Sequence, residues 1–251
     1  MHDTEGIIRE NLRLCRDFYR CKIELARPID EVIPGQFIML KVPSAEIFFR
    51  RPFSIYDYGK RTVTILYKTV GKGTRALASA PRKERVMVLG PLGHGFEVHR
   101  GYTPVLVAGG IGIAGIHLLW KQLEKKACLF YGCSTEKEVP LLGEVIHQEP
   151  RICTLDGSAG FCGNVIQLLE SSLSLVGEKP YVYACGPQPM FANLKGVLAE
   201  KRIPCQVLVE ERMACGLGLC FGCVKKTLDD REPYKRACVE GPVFDLWQIS
   251  L

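Results

Sequence analysis

The tail of the chain carries the feature that most narrows what it can fold into. It reads Met213-Ala-Cys215-Gly-Leu-Gly-Leu-Cys220-Phe-Gly-Cys223, and Cys238 follows downstream. A Cys-x4-Cys-x2-Cys run with a distant fourth cysteine is the plant-type spacing of a 2Fe–2S cluster. Each iron needs two thiolates, so a tight loop must wrap a small cluster from more than one side while a remote ligand closes the cage. Gly216, Gly218 and Gly222 let the backbone approach and turn its N–H groups toward the sulfurs, where they offset negative charge. Arg212, Lys225 and Lys226 add positive charge at the rim. Two other readings compete. Zinc sites usually use two CxxC-like knuckles, and only Cys220 and Cys223 form one here. The thiols could also be inert. The other eight cysteines (Cys15, Cys21, Cys128, Cys133, Cys153, Cys162, Cys185 and Cys205) show no ligand spacing and read as buried small hydrophobes.

Size and charge bound the rest. A chain of 251 residues is comfortable for two domains of ordinary size. With 47% hydrophobic and 24% charged residues it is globular, neither disordered nor fibrous. The net charge of +6 is spread over sites such as Arg50-Arg51, Arg82-Lys83 and Lys225-Lys226. No basic stripe forms, which argues against nucleic-acid binding. The polar start Met1 to Gly6 lacks a signal-peptide layout. The longest apolar run, Val105 to Trp120, is short for a membrane span and is interrupted by glycines. The expected setting is therefore cytoplasmic and reducing, with no membrane partner, where spaced cysteines bind metal more often than they pair.

The patterning changes along the chain. Gly35 to Val42, Arg51 to Tyr56, Thr62 to Thr69 and Val86 to Leu89 read as short strands, the last stopped by Gly90-Pro91. From Val105 on, strands and helices alternate. Strands are expected at Val105–Ala108, Cys128–Gly132, Ile152–Leu155, Pro180–Ala184 and Val207–Val209. Helices are expected at Ile113–Lys125, Val139–Gln148, Val165–Ser172 and Pro189–Lys201. Alternating βα units predict a parallel, doubly wound sheet. The fold expected is β plus α/β, with an antiparallel β-barrel over 1–100, a doubly wound domain over 101–210 and a cluster segment over 211–251. That last segment has too little apolar surface to fold easily alone.

Two groups of residues suggest organic cofactors. Arg51-Pro52-Phe53-Ser54 offers a guanidinium for a diphosphate and a hydroxyl for a flavin ring. Gly71-Lys72-Gly73-Thr74 makes a glycine turn at a helix start, a phosphate site by geometry and dipole. Ordinary turn and cap chemistry is the plain alternative for both. Gly109-Gly110-Ile111-Gly112 lies between a strand and a helix, as a dinucleotide turn does, although it lacks a full GxGxxG. Cys185-Gly186-Pro187 ends another strand. Ligands of a doubly wound sheet bind beyond the carboxyl ends of strands, so both turns point to one crevice.

Arg-Pro-Phe-Ser, Gly-x-Gly-Thr, Gly90-Pro-Leu-Gly-His-Gly-Phe96, Gly-Gly-Ile-Gly and Cys-Gly-Pro occur here in an order that resembles the ferredoxin–NADP reductase superfamily. The tail, from Glu211 to Cys223 and then Cys238-Val-Glu-Gly-Pro-Val-Phe244, resembles the electron-transfer subunits of class 1B dihydroorotate dehydrogenase. That resemblance implies FAD in the barrel, NAD in the α/β domain, and a 2Fe–2S cluster held by Cys215, Cys220, Cys223 and Cys238. It further implies that Arg51, Pro52, Phe53 and Ser54 meet the flavin, with Tyr67, Lys68, Gly73 and Thr74 at its phosphates and ribose. Gly109, Gly110, Gly112, Cys185, Gly186 and Pro187 are the NAD candidates. The implied partner is an FMN-containing catalytic subunit that oxidises dihydroorotate in pyrimidine biosynthesis, two copies of each chain making a heterotetramer. NAD exchanges two electrons and a cluster one, so FAD must stand between them. No general base is expected in this chain. Where the family often has Pro after its dinucleotide turn, this chain has Ala114-Gly115. The alternative is a related subunit of an electron-bifurcating transhydrogenase or a sulfhydrogenase. Some of those replace the first cluster cysteine with Asp, and this chain keeps Cys215. A zinc-bound interaction module is the alternative outside the enzymes.

Overall fold

The computed structural model describes residues 2–42, 46–123, 127–143 and 149–251. The first seven strands are β1 (His2–Cys15), β2 (Phe18–Leu25), β3 (Phe37–Lys41), β4 (Arg51–Ser54), β5 (Asp57–Gly59), β6 (Thr62–Lys68) and β7 (Arg85–Leu92). They form one antiparallel sheet in the order β4-β3-β7-β1-β2-β6-β5. The sheet curls until β4 approaches β6. Its inner face is aliphatic: Ile8, Ile23, Ile38, Leu40 and Ile65 are fully buried. Helix α1 (Lys72–Ala78) follows β6 and adds Leu77 to the same core.

Two of these strands, β1 and β2, precede the first strand expected from sequence. In β1 only Gly6 and Ile8 are buried, so charged residues mask the alternation. Strand β7 does not stop at Gly90-Pro91 but runs on to Leu92. Its ladder with β3 shifts register between Phe37 and Met39, an irregularity that tolerates a residue without an N–H.

The second sheet is parallel apart from one edge. It comprises β8 (Thr103–Gly109), β9 (Cys128–Cys133), β10 (Arg151–Thr154), β11 (Phe161–Cys162), β12 (Pro180–Cys185) and β13 (Cys205–Leu208). Two short strands, β14 (Val224–Lys226) and β15 (Tyr234–Arg236), form a hairpin in the tail. The tail then returns to the large sheet as β16 (Val243–Asp245), antiparallel to β13, giving the order β11-β10-β9-β8-β12-β13-β16. Alternate residues of β8 face opposite layers, as the pleat requires. Val105 and Val107 meet α3 (Val165–Ser172) and α4 (Gln188–Ala199), while Leu106 and Ala108 meet α2 (Ile113–Leu123). Helices on both faces of a parallel sheet make it doubly wound, as the alternating pattern predicts.

The expected helix Val139–Gln148 is replaced, as far as 142, by a 3-10 turn over Glu136–Leu142 that contains Pro140. Residues 144–148 of that expectation lie outside the described residues, as does the end of the expected Ile113–Lys125 helix. Gly143 ends the turn at φ +67°, the left-handed region where a side chain is strained. No described helix is long and apolar enough to cross a membrane.

Candidate functional site

Chain order reverses between β8 and β12, which are parallel neighbours at the centre of the sheet. Ligand crevices of doubly wound sheets open at such a switch point. Here β8 ends in the glycine turn Gly109–Gly112 and β12 ends in Gly186-Pro187. The two turns touch. A Cβ on Gly112 would sit 2.2 Å from the Cys185 carbonyl oxygen, and one on Gly109 would sit 2.8 Å from Met190 Sδ. Only glycine lets these strand ends close up.

A cavity of about 350 Å³ opens beyond them. Gly109, Gly110, Gly186 and Pro187 line it, as do Ser134 and Asn164. Gly112 and Cys185 sit beneath its floor. The Cys185 side chain is buried against Gly115, and burial pushes its thiol well above the ordinary value. Among the NAD candidates, those two therefore shape the turn from below.

A second cavity of about 250 Å³ lies against the first sheet. Pro52, Phe53, Ser54, Tyr67, Lys68 and Thr74 line it. Arg51 and Gly73 are not in its wall but meet beside it: a Cβ on Gly73 would lie 2.9 Å from Arg51 Nε. The guanidinium is held there by bonds from Nη1 to the carbonyls of Phe49 (2.8 Å) and Arg50 (3.3 Å). The Thr74 hydroxyl is committed to its own turn. It accepts from Val70 N (2.9 Å) and Gly71 N (3.1 Å) and donates to Gly71 O (3.2 Å). Tyr67 donates to Asn11 Oδ1 (2.9 Å), and burial raises its phenol well above the ordinary value. The chemistry fits a flavin: aromatic and apolar walls, a serine hydroxyl at β4, and an arginine over a glycine turn.

The two cavities share an edge made by Lys68, Ile111 and Glu210. Sequence reasoning named Lys68 but not Glu210, which no motif marks. It also missed Phe18, at the start of the unforeseen β2, and Met213 and Pro242 of the tail, which close the second cavity. Glu210 is crowded by protein, and that desolvation raises its carboxyl above the ordinary range although it still touches the open cleft.

The tail folds its four cysteines into one loop region beside β3. Gly216 and Gly218 have φ of +70° and +78°. Within this left-handed stretch two amides point inward: Leu217 N donates to Cys215 Sγ (3.4 Å) and Gly218 N to Cys238 Sγ (3.2 Å). The four thiols are neighbours of one another: Cys215 is influenced by Cys220, and Cys238 by both Cys223 and Cys215. Burial works to raise the Cys215 thiol, but the amides of Leu217, Cys220 and Leu219 outweigh it and hold the group below its ordinary value. Burial and the neighbouring Cys223 push Cys238 up despite the Gly218 amide. Among the described residues, no three His, Cys, Asp or Glu side chains gather as one metal ion would require. Arg236 staples the loop: Nη1 donates to Gly218 O (3.2 Å), Nε donates to Glu240 (3.1 Å), and the guanidinium lies over Phe221 at 5.3 Å. All twelve cysteines are free thiols. A thiol set bathed in inward amides fits an anionic iron–sulfur cluster.

The family described as the iron-sulfur cluster binding domain of dihydroorotate dehydrogenase B matches residues 210–250. The chain is similar to the "Dihydroorotate dehydrogenase B (NAD(+)), electron transfer subunit" of Lysinibacillus sphaericus, 39% identical over 89% of each chain. It is similar to the protein of that name from Caldanaerobacter subterraneus subsp. tengcongensis, 37% identical over 84% of each. The Fusobacterium nucleatum protein of that name is 36% identical over 94% of each. Among solved structures, an NADH-dependent reduced ferredoxin-NADP oxidoreductase matches with a TM-score of 0.84 and 25% identity, over 98% of this chain and 89% of that one. Phthalate dioxygenase reductase shares the fold at a TM-score of 0.67 and 17% identity, over 94% of each chain.

Proposed function

The chain belongs to the electron-transfer subunits of dihydroorotate dehydrogenase B, and from that premise we propose that it passes electrons between a catalytic subunit and NAD through FAD and a 2Fe–2S cluster. The observation that carries this reading is the shared edge of the two cavities, with the thiol loop packed behind the same sheet. When bound, FAD takes up two electrons from a hydride or gives them singly, which the one-electron cluster requires.

The work of this chain is to hold and orient. Pro52, Phe53, Ser54 and Tyr67 form the flavin wall, with Lys68 and Thr74 at its edge and Arg51 over Gly73 for the diphosphate. Gly109, Gly110, Gly186 and Pro187 bring backbone close to NAD, and Gly112 and Cys185 set the turn beneath. Cys215, Cys220, Cys223 and Cys238 would hold the two irons of the cluster. The Cys-x4-Cys-x2-Cys spacing with a distant fourth cysteine supports two irons over a single zinc ion.

The catalytic subunit carries FMN, oxidises dihydroorotate and joins this chain as two copies of each, in the cytoplasm, for pyrimidine biosynthesis. Leu217, Leu219 and Phe221 are 41%, 79% and 61% exposed around the thiol loop. An apolar rim over a redox centre suits a docking partner that must come close. The structural likeness to a flavin-based bifurcating oxidoreductase favours a second reading, in which the partner is a different oxidoreductase.

Co-expression with an FMN-bearing dihydroorotate-oxidising chain tests both. The expected product is a stable complex with stoichiometric FAD, iron and sulfide that reduces NAD with dihydroorotate. Stable association with another oxidoreductase instead would move the assignment to the second reading. A colourless complex without iron would remove the cluster from either.

A further inference from the structure

The hairpin β14–β15 separates Cys238 from the other three cysteines, and one residue ties the two segments together. Arg236 ends β15 opposite Val224, and so beside Cys223. Its backbone orders the Cys238 segment: its carbonyl accepts from Val239 N (3.0 Å), Glu240 N (2.9 Å) and Gly241 N (3.3 Å). Its side chain reaches the other segment, where Nη1 donates to Gly218 O (3.2 Å) and the guanidinium covers the Phe221 ring at 5.3 Å. Phe221 sits at φ +55°, a conformation a bulky residue keeps only when its surroundings hold it. Gly218 N in turn donates to Cys238 Sγ (3.2 Å), so one glycine stands between the cation and a ligand sulfur. Glu240 answers the charge. Its carboxylate accepts from Arg236 N (2.6 Å) and Nε (3.1 Å) and also meets Nη2. The two side chains are 31% and 33% exposed, so water screens them only in part.

We propose that Arg236 and Glu240 act as an opposed pair of positioning residues that sets the reduction potential of the cluster, Arg236 raising it and Glu240 holding that rise in check. One electron received from a flavin adds one negative charge within the thiolate cage. A fixed cation beside the sulfurs therefore favours the reduced state, and a fixed anion opposes it. A guanidinium suits the task. It stays charged at any working pH, and its fork of donors meets Gly218 and Glu240 at once. The inference rests on the assignment of the cluster to these four cysteines.

The test is a low-temperature EPR redox titration of the complete complex with its catalytic partner, prepared without oxygen, together with iron and sulfide analysis. Arg236→Met should lower the potential, so that at a fixed poise the ratio of reduced to oxidised cluster falls by about tenfold. Glu240→Gln should shift it the other way, and the ratio should rise. Arg236→Lys keeps the charge without the fork and should fall between Arg236→Met and the unaltered protein. The opposite signs exclude a merely structural role, because a loosened loop would admit water and move both variants in one direction. Lys235 is the control. It neighbours Arg236 on β15 but projects to the other face of the hairpin, so Lys235→Met should leave the potential nearly in place. Shifts of the same sign for Arg236→Met and Glu240→Gln, or a Lys235→Met shift as large as that of Arg236→Met, would overturn the proposal. If Arg236→Met does not retain iron, Glu240→Gln decides, and an unmoved or lowered potential there ends the proposal. Failure of the cluster assignment has a separate signature: the unaltered complex would hold neither iron nor sulfide and give no reduced-cluster signal.

Discussion

Single atoms decide whether the thiol loop can close. At Gly218 the backbone is left-handed, and an added Cβ would lie 2.6 Å from Val239 Cγ2 and 3.1 Å from Arg236 Nη1. Gly218→Ala therefore strains the turn by about 1–2 kcal/mol before any clash is counted. The same turn aims Gly218 N at Cys238 Sγ. Iron and sulfide per chain should fall well below stoichiometric, measured on protein prepared without oxygen. Full cluster occupancy in that variant would show that the amide is dispensable. His117 gives a second prediction at this scale. It is buried, stacks on Tyr56 at 3.8 Å, and its Nδ1 lies 3.1 Å from the Tyr56 carbonyl, so Nδ1 carries the proton. Its Nε2 has no hydrogen-bond partner among the described residues. Burial lowers its pKa from 6.5 to about 4. Between those values the unfolded chain binds a proton that the folded chain refuses, so stability falls as pH drops from 6.5 toward 4. The total is about 2–4 kcal/mol. His117→Gln can still donate to Tyr56 O but cannot titrate. Its unfolding free energy should lose less across that window; an unchanged slope would assign the acid sensitivity elsewhere.

At the scale of elements, the legible ones were those whose signals are local. Helix α3 matches its expected span Val165–Ser172, and the structure shows that Asn164 caps it ahead of the apolar stripe. Asn164 Oδ1 accepts from Ile166 N (3.0 Å) and Gln167 N (3.1 Å), and Gln167 Oε1 accepts from Asn164 N (2.9 Å). That reciprocal box predicts a loss of about 1 kcal/mol for Asn164→Ala, with Asn164→Ser close to neutral, by chemical denaturation. Strands β8 and β12 were legible because both faces are covered, so each reads as a continuous apolar run. Strand β1 was not, because its stability comes from β2 and β7 on either side rather than from its own residues. The site divided in the same way. Glycine turns and cysteine spacing carry their chemistry in sequence. Glu210 and Phe18 reach the cavities only through the meeting of two sheets, and no spacing within the chain encodes that.

For the whole molecule, the question is whether the thiol segment unfolds by itself. Its sequence is poor in apolar residues, which suggests a separate, metal-dependent unit. The packing argues otherwise. Cys223, Ala237, Cys238, Phe244 and Leu246 share one core with Val207 and Leu194 of the α/β layer and with Phe37 and Met39 of the first sheet. Strand β16 is hydrogen-bonded to β13, and Trp247 Nε1 donates to Ile203 O (3.2 Å). The chain has two tryptophans, which report on different places: Trp120 on α2, packed toward the first sheet, and Trp247 in the tail. In single-tryptophan variants made by Trp120→Phe or Trp247→Phe, the two fluorescence transitions in denaturant should have coincident midpoints, the mark of one cooperative unit. Phe244→Ala should break that agreement. Its ring fills the space against Gly241, and truncating a buried Phe costs about 3–5 kcal/mol. That loss falls on the joint between tail and sheet, so Trp247 should become exposed at lower denaturant than Trp120. Separate transitions in the unaltered background would mean that β16 docks too weakly to couple the segments, and that the cluster alone stabilises the tail.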